Sequence, residues 1–415
     1  MGQWKTHTPE GAFDVLENDC AIKSYIEKKI SQVYAKSAYF EIQTPMFEFY
    51  DVFAGGGMEV DQTTMFKFFD TRGRILVLRP DFTMPVARVC ATKFKNSDFP
   101  KRVCYIGSAF REGNTVAGAI QKQFTQAGVE FIGSNTPEAD AEVIALTIRA
   151  LLACGLKAFQ LDLGQAEFFK GIAQQAGLDE KITEQIRMFT DQKNVVGLSQ
   201  LVQSINIDTD VKDLIIQLPN LFGKLDIVQQ LKNKNIGERA TAALNNLTQV
   251  YNILKDYGLQ NYIAIDLGMV QGLSYYTGVM VKGFTHGVGF PICGGGRYDE
   301  LIGGFGKDIP ATGIAIGIER VISALGDAKN TIPLPRVDVI VCYENNRDVA
   351  YKVAEGMRKT GLVVQMEQNY EGIYEFAKGR GVGGIVNIID SEKIKIINLL
   401  DGDVKTTSIS ELLGV

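Results

Sequence analysis

Residues 101–133 read KRVCYIGSAFREGNTVAGAIQKQFTQAGVEFIG, and this stretch decides the fold. Its two ends, KRVCYIGSAFRE and FTQAGVEFIG, are rich in apolar and aromatic residues, which favours strands. The segment between them contains glycine and asparagine, so the sequence predicts an antiparallel hairpin with a long tip. Gln126 and Glu130 are four residues apart and therefore point to the same face of their strand.

The hairpin carries side chains that could bind a ligand. Arg111 closes the first strand and could hold a phosphate or a carboxylate through two hydrogen bonds. Glu130 could hold an ammonium group. The alternative is a solvated charged face, although the residues around Glu130 are apolar and make exposure of its carboxylate less favourable.

Upstream of the hairpin, apolar residues at helical spacing predict an amphipathic helix over residues 19–37. The following YFEIQTPMFEFYDVF is interrupted by Pro45, so it predicts an edge or interface strand. RGRILVLRPD predicts a turn at Gly73 followed by a buried strand. In LRPDFT, residues 78–83, Asp81 could accept from a ligand ammonium and Thr83 could add a hydroxyl. The alternative is a structural pair between Arg79 and Asp81.

Downstream, Thr136 and Pro137 predict the capped start of a helix that ends at Gly155. QLDLGQ predicts a strand. Residues 171–257 are rich in Gln, Asn, Lys and Asp, and their apolar stripes predict an inserted helical subdomain. Strands are predicted again at NYIAIDLG and YYTGVMVKGF, where the strand alternation would let only one of Tyr275 and Tyr276 face a given pocket.

Two further motifs precede a linker. The glycines of ICGGGRYDEL allow close approach of the backbone to a ligand or another strand, but they do not fit G-x-G-x-x-G and do not predict a dinucleotide fold. GIAIGIERV brings Arg320 into a helix, where a surface charge is the alternative to a phosphate ligand. Pro333 and Pro335 mark the linker, and residues 336–415 alternate strands and helices, which predicts a small α/β domain with a largely parallel sheet.

Composition limits the class of protein. The 415 residues suit two or three domains, and the net charge of -5 gives no general attraction to nucleic acid or anionic membrane. From Pro333 onward we count ten Lys/Arg against twelve Asp/Glu. No apolar h-region or membrane-length apolar stretch is present, and six widely spaced cysteines with two histidines indicate a reducing cytoplasm and no zinc site. We expect no metal and no cofactor.

Together, in this order and spacing, the motifs LRPDFT, FRE, QAGVE, YYTG, GGGRYD and GIAIGIER resemble the core motifs of histidyl-tRNA synthetases over roughly residues 1–330. The resemblance implies an α+β fold of the class II synthetase type. Its antiparallel sheet core would comprise residues 1–170 and 258–330, with the helical insertion at 171–257 and a C-terminal domain at 336–415 that resembles a trimmed anticodon-binding domain.

The resemblance also implies a site. In the synthetases the arginines that match Arg111 and Arg320 bind the phosphates of ATP, and Pro45 matches the motif that forms the dimer interface. A histidine pocket would be formed by the matching residues Asp81, Thr83, Gln126, Glu130, Tyr275 and Tyr276, beside Arg111.

This sequence departs from the synthetases in the loop QGLSYY, where they carry R-G-L-D-Y-Y. Gln271 replaces the arginine that stabilises the transition state of amino-acid activation, which should raise the barrier by several kcal/mol. Ser274 removes a carboxylate from the same loop. In LRPDFT, Asp81 replaces a glutamate, and Phe82 replaces a glycine, which is expected to place a bulky ring where backbone or substrate needs room.

TPEGAFDVL, LRPDFTMPVAR, TQAGVEFIG, PEADAEVI and DLGQAEFF resemble regulatory subunits of ATP phosphoribosyltransferase more closely than synthetases. The resemblance implies a non-catalytic protein of histidine biosynthesis. Its partner would be the short-form catalytic subunit, usually in a hetero-octamer, and histidine would be a feedback effector. The C-terminal domain, which many members of that family lack, keeps an active histidyl-tRNA synthetase open as the alternative. A paralogue that senses uncharged tRNA is a third reading, which the absence of a kinase segment and of a basic face disfavours.

Overall fold

The computed structural model describes residues 4–54, 61–94, 98–113, 115–116, 119–232, 234–273, 275–368 and 371–413. The chain forms two compact units, Met1–Ile332 and Pro333–Val415. The boundary between them coincides with the segment that contains Pro333 and Pro335.

Eleven helices are described in the first unit and three in the second. They are α1 (Glu17–Lys36), α2 (Asp51–Ala54), α3 (Thr83–Thr92), α4 (Pro137–Ala153), α5 (Ala166–Gln175), α6 (Glu180–Asp191), α7 (Val195–Gln203), α8 (Thr209–Gln217), α9 (Asp226–Lys232), α10 (Glu238–Asp256) and α11 (Ile318–Leu325), followed by α12 (Arg347–Lys359), α13 (Ile373–Gly379) and α14 (Ile409–Leu413).

The strands follow the same division. The first unit contains β1 (Phe40–Glu41), β2 (Phe47–Phe49), β3 (Lys67–Phe69), β4 (Ile75–Leu78), β5 (Lys101–Phe110), β6 (Thr115–Val116), β7 (Ala119–Ile120), β8 (Gln123–Ile132), β9 (Phe159–Gln165), β10 (Phe222–Gly223), β11 (Ile263–Asp266), β12 (Val279–Thr285), β13 (Cys293–Arg297) and β14 (Ala311–Gly317). The second contains β15 (Val339–Tyr343), β16 (Val364–Gln368), β17 (Gly384–Ile388), β18 (Lys393–Asn398) and β19 (Val404–Ser408).

A nine-stranded, mainly antiparallel sheet organises the first unit, in the order β1-β5-β8-β14-β13-β12-β9-β11-β10. The predicted hairpin is the β5–β8 pair, with Lys101 opposite Ile132 and Phe110 opposite Gln123. Only the β1–β5 and β9–β11 pairings are parallel among the described strands of this sheet. A smaller sheet, β2-β4-β3, carries the strands around Pro45 and RGRILVL.

The two faces of the large sheet differ. On one face, apolar residues such as Val129, Ile314 and Val281 belong to a buried core that also contains α1, α4 and α10. The predicted stripe of α1 is part of it, through Ile22, Ile26, Ile30 and Tyr34. On the other face, Gln126, Gly128 and Glu130 alternate with the core residues of β8, as the two-residue period requires. This second face holds the candidate site.

Helix α4 begins after Thr136 and ends before Gly155, as predicted, but its predicted cap is wrong. The Thr136 side chain makes no capping hydrogen bond, and its hydroxyl lies 3.2 Å from that of Ser134. In the first turn, Asp140 forms a buried ion pair with Arg297 at 3.0 Å. The arginine of GGGRYD therefore ties β13 to the start of α4.

The second unit is a five-stranded sheet in the order β16-β15-β17-β18-β19, with α12 and α14 in one core cluster and α13 in another. The prediction of a largely parallel sheet is wrong, because β17, β18 and β19 pair antiparallel. The links between these strands are short turns, such as the one in which Asp390 accepts from the Lys393 amide, and they are too short for a parallel crossover.

Candidate functional site

A cavity of about 470 Å³ opens on the face of the large sheet that carries Gln126 and Glu130. Its walls come from the β4–α3 connection, the ends of β5 and β8, the loop before β12, and α11. The residues that the sequence singled out meet here, since the lining includes Asp81, Thr83, Arg111, Gln126, Glu130, Gln271, Tyr275, Tyr276 and Arg320.

The floor of the cavity is almost free of side chains. Gly294 and Gly295 of β13 and Gly313 and Gly317 of β14 line it. A Cβ added at Gly295 would meet the Gly313 carbonyl oxygen at 2.0 Å, so the close approach expected for GGGRYD occurs between β13 and β14. Gly294, Gly313 and Gly317 lie on the cavity face of their strands, and their lack of side chains keeps the floor flat.

The Glu130 carboxylate forms the acidic end of the cavity and is 1% exposed. It accepts hydrogen bonds from Tyr298 on Oε2, and from Tyr105 at 3.2 Å and Thr83 at 3.5 Å on Oε1. Burial raises the pKa of this carboxyl to about 7, and the nearby Asp81 charge adds to the rise, while the three hydroxyl donors oppose it. A cationic ligand group would favour the ionised form.

Asp81 lies beside Glu130 and faces Arg111. Arg111 Nη2 is 3.5 Å from Asp81 Oδ2, and Arg111 Nε donates to the Pro80 carbonyl at 2.8 Å. Burial raises the pKa of the Asp81 carboxyl, and the Arg111 charge acts in the opposite direction. Asp81 Oδ1 and Gln126 Oε1 are buried without a hydrogen-bond partner among the described residues, which leaves two acceptors for a ligand.

Arg320 is not a surface charge. It lines the cavity from α11, and its Nη1 donates to the Pro291 carbonyl at 2.7 Å. Burial lowers the pKa of its guanidinium, and the charge of Arg111 lowers it further, so the two arginines share one region. This pair could receive an anionic group.

Both tyrosines of the YYTG motif line the cavity, so the expectation that only one could do so is wrong. They lie in a turn before β12, where the amides of Tyr275 and Tyr276 both donate to the Gly272 carbonyl. Strand alternation therefore does not apply to them. Their rings contact each other edge to face, with centroids 4.8 Å apart.

Gln271 stands at the rim of the cavity, where the synthetases carry an arginine. Its Nε2 donates to Asp191 Oδ2 at 3.0 Å, and its Oε1 accepts from the Lys282 ammonium. The side-chain amide is thus held between a carboxylate at the end of α6 and a cation of β12. Ser274, the second predicted difference in this loop, lies outside the described residues.

Phe82 does not obstruct the site, which corrects the expectation of a ring in the ligand space. The side chain is buried behind the cavity wall and stacks on Tyr105 with centroids 4.3 Å apart. The Arg79 guanidinium lies 3.8 Å from the Phe82 ring centroid and donates to the Ser108 and Thr44 carbonyls. Arg79 therefore contacts the Phe82 ring and backbone carbonyls, and an ion pair with Asp81 is not among its described contacts.

Sequence reasoning missed three polar residues of the cavity, namely Tyr105, Tyr298 and Lys282. Tyr105 is directly opposite Gly128, which shares a strand face with Gln126 and Glu130, so the alternation along the hairpin could have found it. Lys282 could not be found in this way, because only the strand order places β12 beside the cavity. Tyr298 required the fold, because its hydroxyl reaches Glu130 from the end of β13.

In the described part of the chain, no three His, Cys, Asp or Glu side chains converge closely enough to hold a metal ion. Among the described helices, none combines the length and apolarity needed to cross a bilayer.

Comparison with known proteins adds to this geometry. The family model for histidyl-tRNA synthetase matches residues 11–321. An ATP phosphoribosyltransferase regulatory subunit from Acetivibrio thermocellus is 50% identical over 100% of both chains. Another, from Ruminiclostridium cellulolyticum, is 42% identical over 100% of both chains. These full-length matches include the C-terminal unit, so its presence does not favour a synthetase.

Solved structures agree. A protein from Bacillus halodurans described as an ATP phosphoribosyltransferase regulatory subunit/histidyl-tRNA synthetase superimposes with a TM-score of 0.84 and 29% identity, over 93% of this chain and 99% of that one. Histidyl-tRNA synthetase from Nostoc sp. PCC 7120 gives a TM-score of 0.76 at 22% identity, over 99% of this chain and 98% of that one, and supports the fold alone.

Proposed function

The chain belongs to the family of ATP phosphoribosyltransferase regulatory subunits, which have the histidyl-tRNA synthetase-like class II fold, and from this premise we propose that it activates a short-form catalytic subunit and mediates feedback inhibition by histidine. It would do so without catalytic activity of its own. The observation that carries the proposal is the cavity, which retains its buried acidic end while a neutral amide occupies the place of the activating arginine.

The acidic end suits an amino acid with a cationic side chain. Glu130 and Asp81 offer buried carboxylates, and Gln126 Oε1 and Asp81 Oδ1 offer unused acceptors within the described residues. An ammonium or imidazolium would satisfy these groups and offset their desolvation. We therefore assign histidine to this cavity, with Tyr275 and Tyr276 as its aromatic wall and Arg111 and Arg320 as the remnant of a phosphate site.

The loss of synthetase activity rests on Gln271. Amino-acid activation develops negative charge on phosphate, which a fixed guanidinium stabilises more than a neutral amide does. Gln271 already donates to Asp191, so its amide is directed toward the helical insertion. Histidine could bind in such a cavity without being activated, because binding and transition-state stabilisation are separate properties.

We also propose a class II-type dimer. An exposed apolar surface surrounds Pro45, on β1 and on the sheet β2-β4-β3. It consists of Phe40, Met46, Phe47, Phe49, Phe68, Phe69 and Ile75. Phe47, Phe49 and Phe68 share one face of this small sheet, and Phe69 and Ile75 lie on its other face. Exposed apolar side chains in this number favour burial against a second copy. We further propose that such dimers join the catalytic subunit in a hetero-octamer in the cytoplasm, and that the chain does not bind tRNA.

The test mixes the purified chain with a short-form ATP phosphoribosyltransferase catalytic subunit. We expect co-elution, a gain of phosphoribosyltransferase activity, and inhibition of that activity by histidine. Absence of a complex at micromolar concentrations overturns the proposal. Histidine-dependent ATP–pyrophosphate exchange by the chain alone would instead identify an active synthetase.

A further inference from the structure

We propose that Lys282 recognises the carboxylate of the amino acid in the cavity and so selects an amino acid over the corresponding amine or alcohol. This inference rests on the proposed binding of histidine and assigns a ligand group to a residue that the sequence did not single out. It concerns a cation on β12, on the opposite side of the cavity from Glu130.

The register of the sheet fixes the position of Lys282. Lys282 is opposite Gly294, Gly294 is opposite Ala315, and Ala315 is opposite Gly128. Directly opposed residues of antiparallel strands share a face, so this row crosses the floor of the cavity. Three steps of about 4.8 Å separate β8 from β12, roughly 14 Å between backbones.

Between the two ends of this row only a methyl group and glycine hydrogens stand above the floor. Glu130 and Gln126 extend from β8, and Lys282 extends from β12 on its flexible four-carbon stem. The cavity is therefore acidic at one side and cationic at the other. A zwitterion with an additional basic side chain fits such a charge distribution when its carboxylate faces Lys282.

The surroundings of Lys282 hold its ammonium at the cavity wall. Its Nζ donates to Gln271 Oε1, while Gln271 Nε2 donates to Asp191. Burial raises the pKa of the nearby Asp266 carboxyl on β11, and the charge of Lys282 is among the contributions that oppose this rise. Gln271 thus positions the Lys282 ammonium, because its side-chain oxygen accepts a hydrogen bond from Lys282 Nζ. An arginine at position 271 would offer no such acceptor.

The nearby arginines are less suited to this role. Arg111 already faces Asp81 and the Pro80 carbonyl, and Arg320 donates to the Pro291 carbonyl. The guanidinium fork suits bidentate contact with phosphate or carboxylate, but both arginines already donate to these acceptors, whereas the compact charge of Lys282 on its flexible stem can reach a carboxylate from β12. Carboxylate recognition by Lys282 therefore favours retention of the amino acid without its activation.

The experiment measures binding of L-histidine and L-histidinol by calorimetry. Histidinol has a hydroxymethyl group in place of the carboxylate and is otherwise the same molecule. The full-length chain is used alone and in complex with the catalytic subunit. Variants are Lys282→Met, which keeps the apolar stem, Lys282→Arg, which keeps the charge, and Lys157→Met, an exposed lysine before β9 that does not line the cavity.

We expect Lys282→Met to lower histidine affinity about ten- to a hundredfold, as for loss of a charge-assisted hydrogen bond, with histidinol affinity changed less than about twofold. Lys282→Arg should recover most of the loss, and Lys157→Met should match the wild type. Equal losses for both ligands, or an unchanged histidine affinity, overturn the role of Lys282 while leaving histidine binding intact. A wild-type chain that binds neither ligand, alone or in the complex, overturns the proposed function as well.

Discussion

The Glu130 carboxylate lies directly over Gly313 of the neighbouring strand. The two residues are register partners of β8 and β14, and a Cβ built on Gly313 would stand 1.6 Å from Glu130 Oε2. A side chain at position 313 and a carboxylate in this position therefore exclude each other. The acidic end of the cavity exists because β14 contributes no side chain there.

Gly313→Ala should consequently displace Glu130 and weaken both folding and ligand binding. Overpacking of this kind costs about 1–3 kcal/mol of unfolding free energy, and histidine binding should be lost. Gly304→Ala is the matched control, because a Cβ there meets open space. Thermal unfolding and calorimetry measure the two effects. A Gly313→Ala chain that binds histidine as tightly as Gly304→Ala would contradict this account.

Glu130→Gln should weaken histidine binding about tenfold or more, because it removes the charge that a cationic ligand group would pair with. Glutamine keeps the size of the side chain and can still accept from Tyr298 or Tyr105. Calorimetric titration measures the change. An unchanged histidine affinity in this variant would contradict the proposal that histidine binds beside the Glu130 carboxylate.

The same substitution should alter the pH dependence of stability. Because the folded-state pKa of Glu130 is raised to about 7, the folded chain binds more protons than the unfolded chain between about pH 4.5 and 7. Glu130 therefore lowers the unfolding free energy as pH rises through that window, by about 3 kcal/mol in total. Urea denaturation should find Glu130→Gln more stable than the wild type at pH 8 and similar to it at pH 5. Equal stabilities at both pH values would contradict the raised pKa.

Arg297→Met should destabilise the first unit by about 3–5 kcal/mol, since it leaves the Asp140 charge buried without its partner. Arg239→Met, which removes an exposed ion pair with Glu167, should cost under about 1 kcal/mol. Thermal and urea denaturation compare the two. Similar losses of unfolding free energy in the two variants would show that the Arg297–Asp140 ion pair does not stabilise the packing of β13 against α4.

Phe69→Glu should break the proposed dimer, because Phe69 is 72% exposed within the apolar surface around Pro45. Leu400→Glu is the control, since Leu400 is also largely exposed but belongs to the second unit. Sedimentation velocity should find a monomer for the first variant and a dimer for the second. A dimeric Phe69→Glu chain would place the interface elsewhere.

Much of the fold could be predicted from local patterns. The β5–β8 hairpin, the stripe of α1 and the helix after Thr136 follow from periodicity and from turn and capping residues. The antiparallel half of the C-terminal sheet could not, because alternation of strands and helices stops before β18 and turn length then decides the pairing. The tyrosines of YYTG were misplaced because a turn bonded to Gly272 precedes β12.

The site was predictable in part. Residues that a strand alternation or a motif marks, such as Gln126, Glu130 and Asp81, do meet in one cavity. The orientation of Phe82 was not predictable, because it depends on Arg79 and Tyr105, which are distant in sequence. Lys282 acquires its relevance only when β12 is known to lie three strands from β8.

The glycine floor has a consequence for how this family can diverge. Because β13 and β14 offer almost no side chain to the cavity, a substitution there obstructs the site instead of adjusting it. New ligand preferences must then arise at the rim, where Gln271 and Lys282 stand. Exchanges at the edge of the cavity can thus change what happens to a bound ligand while its floor stays the same.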